Sequence, residues 1–310
     1  MKIAFVFPGQ GSQSVGMLDA WADNAAVRRT LEQASASLGQ DLASLIANGP
    51  AEDLNLTTNT QPVMLAAAVA TYAAWREAGG VEPALMAGHS LGEYSALTAA
   101  GALKLEDAVR IVRVRADAMQ AAVPVGTGAM AAVLGLSDDD VREVCAQAAQ
   151  GEVVEAVNFN APAQVVIAGH KAAVERACEL AKARGAKRAL LLPVSAPFHS
   201  SLLKPAADVL QVALGGVEVS SPSVPVINNV DVAVVSDPAG IRDALVRQAW
   251  HPVRWVETIQ AMKAQGVTHI VECGPGKVLN GLTKRIDKDL VGLAITDPAS
   301  MQAALDLLQG

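Results

Sequence analysis

The sequence predicts an α/β protein: a parallel sheet with helices, interrupted by a small βαββαβ insertion. Three observations carry this. Short apolar runs alternate with helix-length segments at both ends of the chain. In the middle, between residues 125 and 195, the order becomes strand, helix, strand, strand, helix, strand, the ferredoxin-like unit. Gly88-His89-Ser90-Leu91-Gly92 stands between an apolar run and a helix-forming run, which reads as a nucleophile elbow. The expected division is residues 1–124 with 196–310 as a large catalytic subdomain and 125–195 as the small one.

In chain order, Ile3 to Phe7 reads as a buried strand and Pro8 to Gln13 as a loop of small and amide residues. Gln10 could offer a hydrogen bond at the sheet edge or satisfy its own loop; spacing does not choose. Val15 to Ala47 is helical in pieces. Thr60-Gln61-Pro62 is expected to open a helix running to about Ala78, with threonine as cap and proline in the first turn, stopped by Gly79-Gly80. Ala84 to Ala87 is the strand that delivers Ser90. Leu105 to Ala122 is a helix with an apolar stripe of Ala108, Val109, Val112, Ala116 and Met119. Arg115 falls at the edge of that stripe, within roughly 40° of Ala108 and Met119. A cation there needs an anion, either a structural carboxylate or a ligand, and periodicity alone favours the structural pair.

The insertion is expected as strands 129–134, 153–158, 164–168 and 186–191 with helices 137–149 and 171–184. Asn158 and Asn160 then lie between its two middle strands. Beyond it come a helix over 202–212, a short strand after Pro225, helices over 241–248 and 255–265, and a strand over 267–272. A helix over 277–286, a last strand over 290–295 and a helix over 299–308 finish the chain.

Composition narrows the function. The chain has 310 residues, 51% hydrophobic and 18% charged, enough for a large core. A net charge of -7 argues against a general nucleic-acid binder. No window approaches a membrane span, and the first residues lack the apolar core of a secretory signal. Cys145, Cys178 and Cys273 give neither a disulfide framework nor metal spacing, so a reducing cytoplasm is expected. Two basic groups, Lys182/Arg184/Lys187/Arg188 and Lys277/Lys284/Arg285/Lys288, read first as solvated helix faces.

The chemistry centres on Ser90. A serine at a sharp strand-to-helix turn needs neighbours without side chains, and the following helix aims its amide dipole at a developing oxyanion. The hydroxyl also needs a general base. His89 flanks Ser90 and is expected to point away. His170 starts a helix of the insertion, and His269 lies in a strand that looks buried. His199, at a loop-to-helix junction just after the insertion, ranks first, followed by His251. No acid is placed to complete a triad, so a carbonyl could orient the ring.

Five motifs now stand in order over essentially the whole chain: Phe7-Pro8-Gly9-Gln10-Gly11-Ser12-Gln13, Thr60-Gln61-Pro62, Gly88-His89-Ser90-Leu91-Gly92-Glu93, Pro197-Phe198-His199-Ser200 and Glu272-Cys273-Gly274-Pro275-Gly276. Together they resemble the malonyl-CoA:acyl-carrier-protein transacylases, loading enzymes of fatty-acid synthesis. The resemblance implies a hydrolase-like core with the ferredoxin-like insertion. It implies Ser90 as acylated nucleophile, His199 as base, and the amides of Gln10 and Leu91 as oxyanion hole. Arg115 would bind the malonyl carboxylate, and the carbonyl of Gln248 would orient the imidazole in place of an acid. Phe198 would fill the space of a branched acyl chain, as in related polyketide acyltransferases that prefer malonyl. Asn158 and Asn160 count among the substrate contacts. Ala196-Pro197 departs from the glycine-proline of many relatives.

Malonyl-CoA would be the donor and holo-acyl carrier protein the partner, with no resident cofactor, metal, nucleic acid or membrane, and with a monomer as the family expectation. The carriers are acidic, so the basic groups become docking candidates. A serine esterase or thioesterase, and a non-catalytic carrier-binding homologue, remain as other classes.

Overall fold

The computed structural model describes residues 1–194 and 196–309; Ser195, at the expected end of the insertion, and Gly310 lie outside the described residues. Among the described residues nine strands form two sheets: β1 (Ile3–Phe7), β2 (Leu85–Gly88), β3 (Gly128–Leu134), β4 (Val154–Ala161), β5 (Gln164–His170), β6 (Arg188–Leu191), β7 (Val226–Ile227), β8 (His269–Cys273) and β9 (Val291–Ile295).

The first sheet has the order β7-β2-β1-β8-β9 and every pairing in it is parallel. β1 is its middle strand, and Ala4 through Phe7 are fully buried. A parallel sheet covered on both faces needs apolar residues throughout, and Ile-Ala-Phe-Val-Phe supplies them. Phe5 packs at 5.7 Å from the Tyr72 ring and 5.3 Å from Trp75, both on the helix Thr57–Glu77. That helix is apolar nearly all round, as a helix buried between sheet and neighbouring helices must be. It begins at Thr57, not Thr60. Thr60 Oγ1 instead donates to the carbonyls of Leu54 and Leu56, and Pro62 sits in the second turn.

The carboxyl ends of β1, β2, β7 and β8 all open onto one edge, with the loops at Pro8, Ser90, Asn228 and Gly274. Ligands of parallel α/β sheets bind at such an edge.

The second sheet, β4-β5-β3-β6, is antiparallel. The helices Asp138–Ala149 and Lys171–Ala183 share one core with it, built on Ala131, Val133, Val144, Ile167 and Ala177. β4 runs through Ala161, beyond the expected end at residue 158. Asn160 is therefore a strand residue and not a loop residue, and Asn158 lies inside the strand instead of at its end, at register shifts between Ala156 and Asn158 and between Phe159 and Ala161. Such irregularities re-aim side chains. β4 also ties the two parts together: Phe159 N donates to Val253 O (3.0 Å), and Val253 N to Val157 O (2.8 Å). Glu155 takes the amide and hydroxyl of Ser201, both at 2.7 Å, and so grips the segment just after His199. No described helix is long and apolar enough to cross a membrane.

Candidate active site

Ser90 holds φ at 53°, the left-handed region that an L-residue enters only when its surroundings enforce it. The surroundings leave no room for side chains beside it. A Cβ on Gly88 would lie 1.8 Å from the Gly92 carbonyl, and one on Gly92 2.1 Å from the Phe7 carbonyl oxygen. Asn229, fully buried after β7, clamps the turn. Its Oδ1 accepts from Ser90 N (2.8 Å) and its Nδ2 donates to Gly88 O (2.7 Å). Both are backbone groups that the sharp turn takes out of ordinary pairing.

Ser90 Oγ lies 2.6 Å from His199 Nε2, and His199 Nδ1 lies 2.9 Å from Gln248 O. A carbonyl only accepts, so Nδ1 carries the proton and Nε2 is the acceptor for the serine hydroxyl. The ring is thus in the tautomer a general base needs, set by a backbone carbonyl. His199 itself has φ at 65° and is 3% exposed. Burial, with the Arg115 charge as second cause, lowers its pKa to about 3. The imidazole is neutral across the physiological range.

Arg115 projects from the Leu105–Ala121 helix into the same place and is buried. Its Nη2 donates to Ser90 Oγ (3.1 Å) and to Gln248 Oε1 (2.9 Å); its Nη1 donates to Gln61 Oε1 (2.8 Å). The guanidinium carbon lies 5.4 Å from the centre of the Tyr94 ring. The structural carboxylate that periodicity favoured is not there: the protein groups that bond Arg115 are amide oxygens and a hydroxyl. Periodicity could not foresee this, because the partners come from distant helices. Burial lowers the arginine's pKa, so the cation is held at a cost.

These groups line a cavity of about 260 Å³ with Pro8, Gln10, Leu91, Met119, Met130, Phe198, Asn158, Asn160 and the Val278–Leu282 stretch among its walls. Neither the amide of Gln10 nor that of Leu91 donates to a protein acceptor among the described residues. The Gln10 side chain neither turns back on its own loop nor bonds another site residue: Nε2 donates to Thr57 Oγ1 (3.4 Å) at the start of the helix Thr57–Glu77. Asn158 Oδ1 is buried without a partner.

His89, expected to point away, lines the cavity too: Nε2 bonds Asn160 Oδ1 at 2.7 Å and the ring tilts against Trp255. The other histidines are elsewhere. His170 Nδ1 accepts from Val153 N, and His251 Nδ1 bonds the Arg247 carbonyl. His269 is not in a buried environment: it is half-buried at the start of β8, opposite the active edge, beside the Thr268 hydroxyl.

Three residues of the site had no role assigned from sequence: Gln61, Glu93 and Asn229. Glu93 is buried under the elbow, and Oε2 accepts from Asn229 N (3.0 Å) and Gln248 Nε2 (2.9 Å). Burial pushes its carboxyl up to about 7. An acid on the first turn of an otherwise uncharged helix was the available signal.

A serine on an elbow, a neutral imidazole set by a carbonyl, and a buried cation beside the hydroxyl are groups that could together carry out acyl transfer. Comparisons with known proteins give the family. The model of the acyl transferase domain matches residues 4–294. The malonyl CoA-acyl carrier protein transacylase of Escherichia coli K12 is 57% identical over 307 residues, covering 99% of each chain, and that of Bacillus subtilis 168 is 46% identical over 99% of this chain and 98% of its own. An acyl-carrier-protein S-malonyltransferase structure from Burkholderia pseudomallei 1710b superposes with a TM-score of 0.98 at 69% identity, covering 99% of this chain and all of that one. A malonyl-transacylase in complex with its type II polyketide acyl-carrier protein gives a TM-score of 0.98 at 52% identity, over 99% of this chain and all of that one. This chain belongs to the acyl transferase family, in its malonyl-CoA:acyl-carrier-protein transacylase branch.

Proposed function

We propose that this chain moves a malonyl group from malonyl-CoA to the phosphopantetheine thiol of holo-acyl carrier protein, through an ester on Ser90. His199 Nε2 takes the hydroxyl proton as Ser90 Oγ attacks the thioester carbon. The oxyanion is received by the amides of Gln10 and Leu91. As the C–S bond breaks, His199 returns the proton to the leaving thiolate of CoA. The carrier thiol then enters at the same base, attacks the ester carbon, and Ser90 Oγ leaves with its proton restored.

The observation that carries the malonyl reading is Arg115: a buried cation 3.1 Å from the nucleophile, held at Nη1 and Nη2 by neutral oxygens and with Nε without a hydrogen-bond partner. A malonyl carboxylate gives it two charge-assisted bonds, and an acetyl group gives none. The same carboxylate offsets the charge that helps depress His199, so the base strengthens when the right acyl group is seated. Phe198 in the cavity wall fits selection for an unbranched chain. Asn158, with its free acceptor, and Asn160 are assigned to the donor.

The carrier is assigned to the face that bears the mouth of the cavity, where Lys277 precedes Val278. Lys182 and Arg184 of the other basic group already hold Glu179 and Glu143. The insertion's own apolar core, drawn entirely from residues 129–189, supports the division of residues 1–124 with 196–310 from 125–195, although Met130, Val157, Val166 and Ala168 pack into the large core. Three free, buried thiols fit a cytoplasmic enzyme, for which we take the family's monomeric state.

Mass spectrometry after mixing with malonyl-CoA tests the reading. The expected result is a malonyl adduct on Ser90 that holo-carrier discharges. Rapid release of free malonate would mean a hydrolase, and no adduct a binding protein. Arg115→Ala is expected to lower kcat/KM for malonyl-CoA by about 10²–10³, the cost of breaking a buried charge pair, while acetyl transfer is spared.

A further inference from the structure

Arg115 and Glu93 are both buried, and they do not touch. Gln248 stands between them. Its Nε2 donates to Glu93 Oε2 (2.9 Å) and to Ser90 O (2.8 Å), and its Oε1 accepts from Arg115 Nη2 (2.9 Å). This orientation of the carboxamide is forced. Turned over, its oxygen would face a carboxyl group and a carbonyl, and its N–H groups would face a guanidinium that has only donors. The Asn229 amide shares Glu93 Oε2 and holds the carboxyl group in place from the other side. Glu93 therefore sits behind both residues that the site uses on Ser90, without reaching the cavity itself: it is absent from the cavity wall, where Gln61 and Arg115 stand.

We propose that Glu93 is a positioning residue for acyl selection. Its carboxyl group fixes the Gln248 carboxamide with the oxygen toward Arg115, so that the guanidinium is aimed beside Ser90 by neutral acceptors and keeps its charge for the substrate. A direct Glu93–Arg115 ion pair would have spent that charge. The inserted amide keeps the two groups one side chain apart and leaves a malonyl carboxylate as the direct counter-ion. The proposal rests on the reading of Arg115 as the carboxylate site. It adds a residue that touches neither substrate nor reacting atoms yet sets which acyl group is taken.

The test compares kcat/KM for malonyl-CoA and acetyl-CoA in three variants, with labelling of Ser90 by a neutral sulfonyl fluoride as a readout that needs the elbow and His199 but no carboxylate site. Glu93→Gln keeps an acceptor oxygen in place, and its malonyl-to-acetyl ratio is expected within about threefold of the parent. Glu93→Met removes the acceptor at similar volume. It is expected to lower the ratio by about tenfold or more, chiefly through KM for malonyl-CoA, while labelling of Ser90 changes by less than about threefold. Should the methionine variant fail to fold, Glu93→Asp withdraws the acceptor by one methylene and is expected to lower the ratio in the same direction.

An unchanged ratio in a folded Met or Asp variant overturns the proposal, as does an equal loss of malonyl transfer, acetyl transfer and labelling. Arg115→Ala is the reference. If it collapses the ratio and the Glu93 variants do not, this proposal alone fails. If Arg115→Ala leaves the ratio intact, the assignment of the carboxylate site fails, and this proposal with it.

Discussion

The most exposed consequence of the geometry is the pH dependence of Ser90. His199 is enclosed and faces Arg115 and, at longer range, His89; these lower its pKa from 6.5 to about 3. An ordinary imidazole would be about 97% protonated at pH 5, whereas this one stays about 99% neutral. Ser90 reactivity toward a neutral sulfonyl fluoride, which has no titrating group, should therefore be nearly flat from pH 8 to pH 5. An ordinary histidine would slow it about thirtyfold over the same range. The assay is the rate of mass addition at Ser90 in buffers of constant ionic strength. Glu93→Gln, run alongside, removes a buried group of the same site that titrates in this window. Arg115→Ala lifts the second of the two leading causes, and its acid limb should move up toward 6.5.

Stability must follow the same shift. The folded state disfavours the protonated ring, so the His199 contribution is intact above pH 6.5 and is lost as pH falls from 6.5 toward 3, by up to about 4–5 kcal/mol. His199→Gln should flatten that acid slope in urea unfolding. A single titration of Ser90 labelling with a midpoint near 6.5 would refute the argument, because it would mean that water reaches the ring.

Three further outcomes are expected. Gly88→Ala brings a methyl group to 1.8 Å from the Gly92 carbonyl carbon, backbone that cannot yield without moving Ser90; thermal unfolding should show a loss of more than about 3 kcal/mol, and Ser90 labelling should be abolished in whatever folds. Asn229→Ala strands the buried Ser90 N–H and Gly88 C=O and should cost about 2–5 kcal/mol by chemical denaturation, with a Tm drop to match; a neutral result would mean that water replaces the carboxamide. Glu272, buried at the end of β8, is pushed up to about 7 by burial. Its protonated form is the one the fold favours, so its contribution is full below pH 4.5 and declines as pH rises through 7, by about 3 kcal/mol. Glu272→Gln should accordingly stabilise the protein above pH 7 and change little at pH 4.5, which unfolding at the two pH values measures directly.

Local pattern made most of the fold legible. Ile3–Phe7, the elbow, the βαββαβ order and each helix after residue 200 follow from apolar spacing and turn residues acting over a dozen positions. The misreadings were local as well: Thr60 looked like a cap because the helix's real first turn, Thr57–Asn59, is as polar as a loop. The strand through Asn158 is expected to stop there, before Asn160, because strand irregularity leaves no mark in composition. The site divides along a different line. Ser90 was singled out by its glycine-flanked elbow and His199 by its loop-to-helix junction after the insertion, and both positions have positive φ, 53° and 65°.

The polar layer beneath them was legible only at Arg115 and Gln248, named through the family resemblance, because its physics is long-range. Gln61, Glu93, Arg115, Asn229 and Gln248 come from five separate segments, and no spacing links them. Each, read alone, breaks the expectation for its element: an acid, a base and three amides with little or no exposure. Only together are they consistent, since every buried charge there is met through a neutral amide. On the proposed role of Arg115, that arrangement accounts for a site that orients its histidine without an acid. A carboxylate in contact with His199 would raise the ring's pKa, but it would also bring a second negative charge into the pocket that holds Arg115. A backbone carbonyl sets the same tautomer with no charge, and leaves the guanidinium for the acyl group.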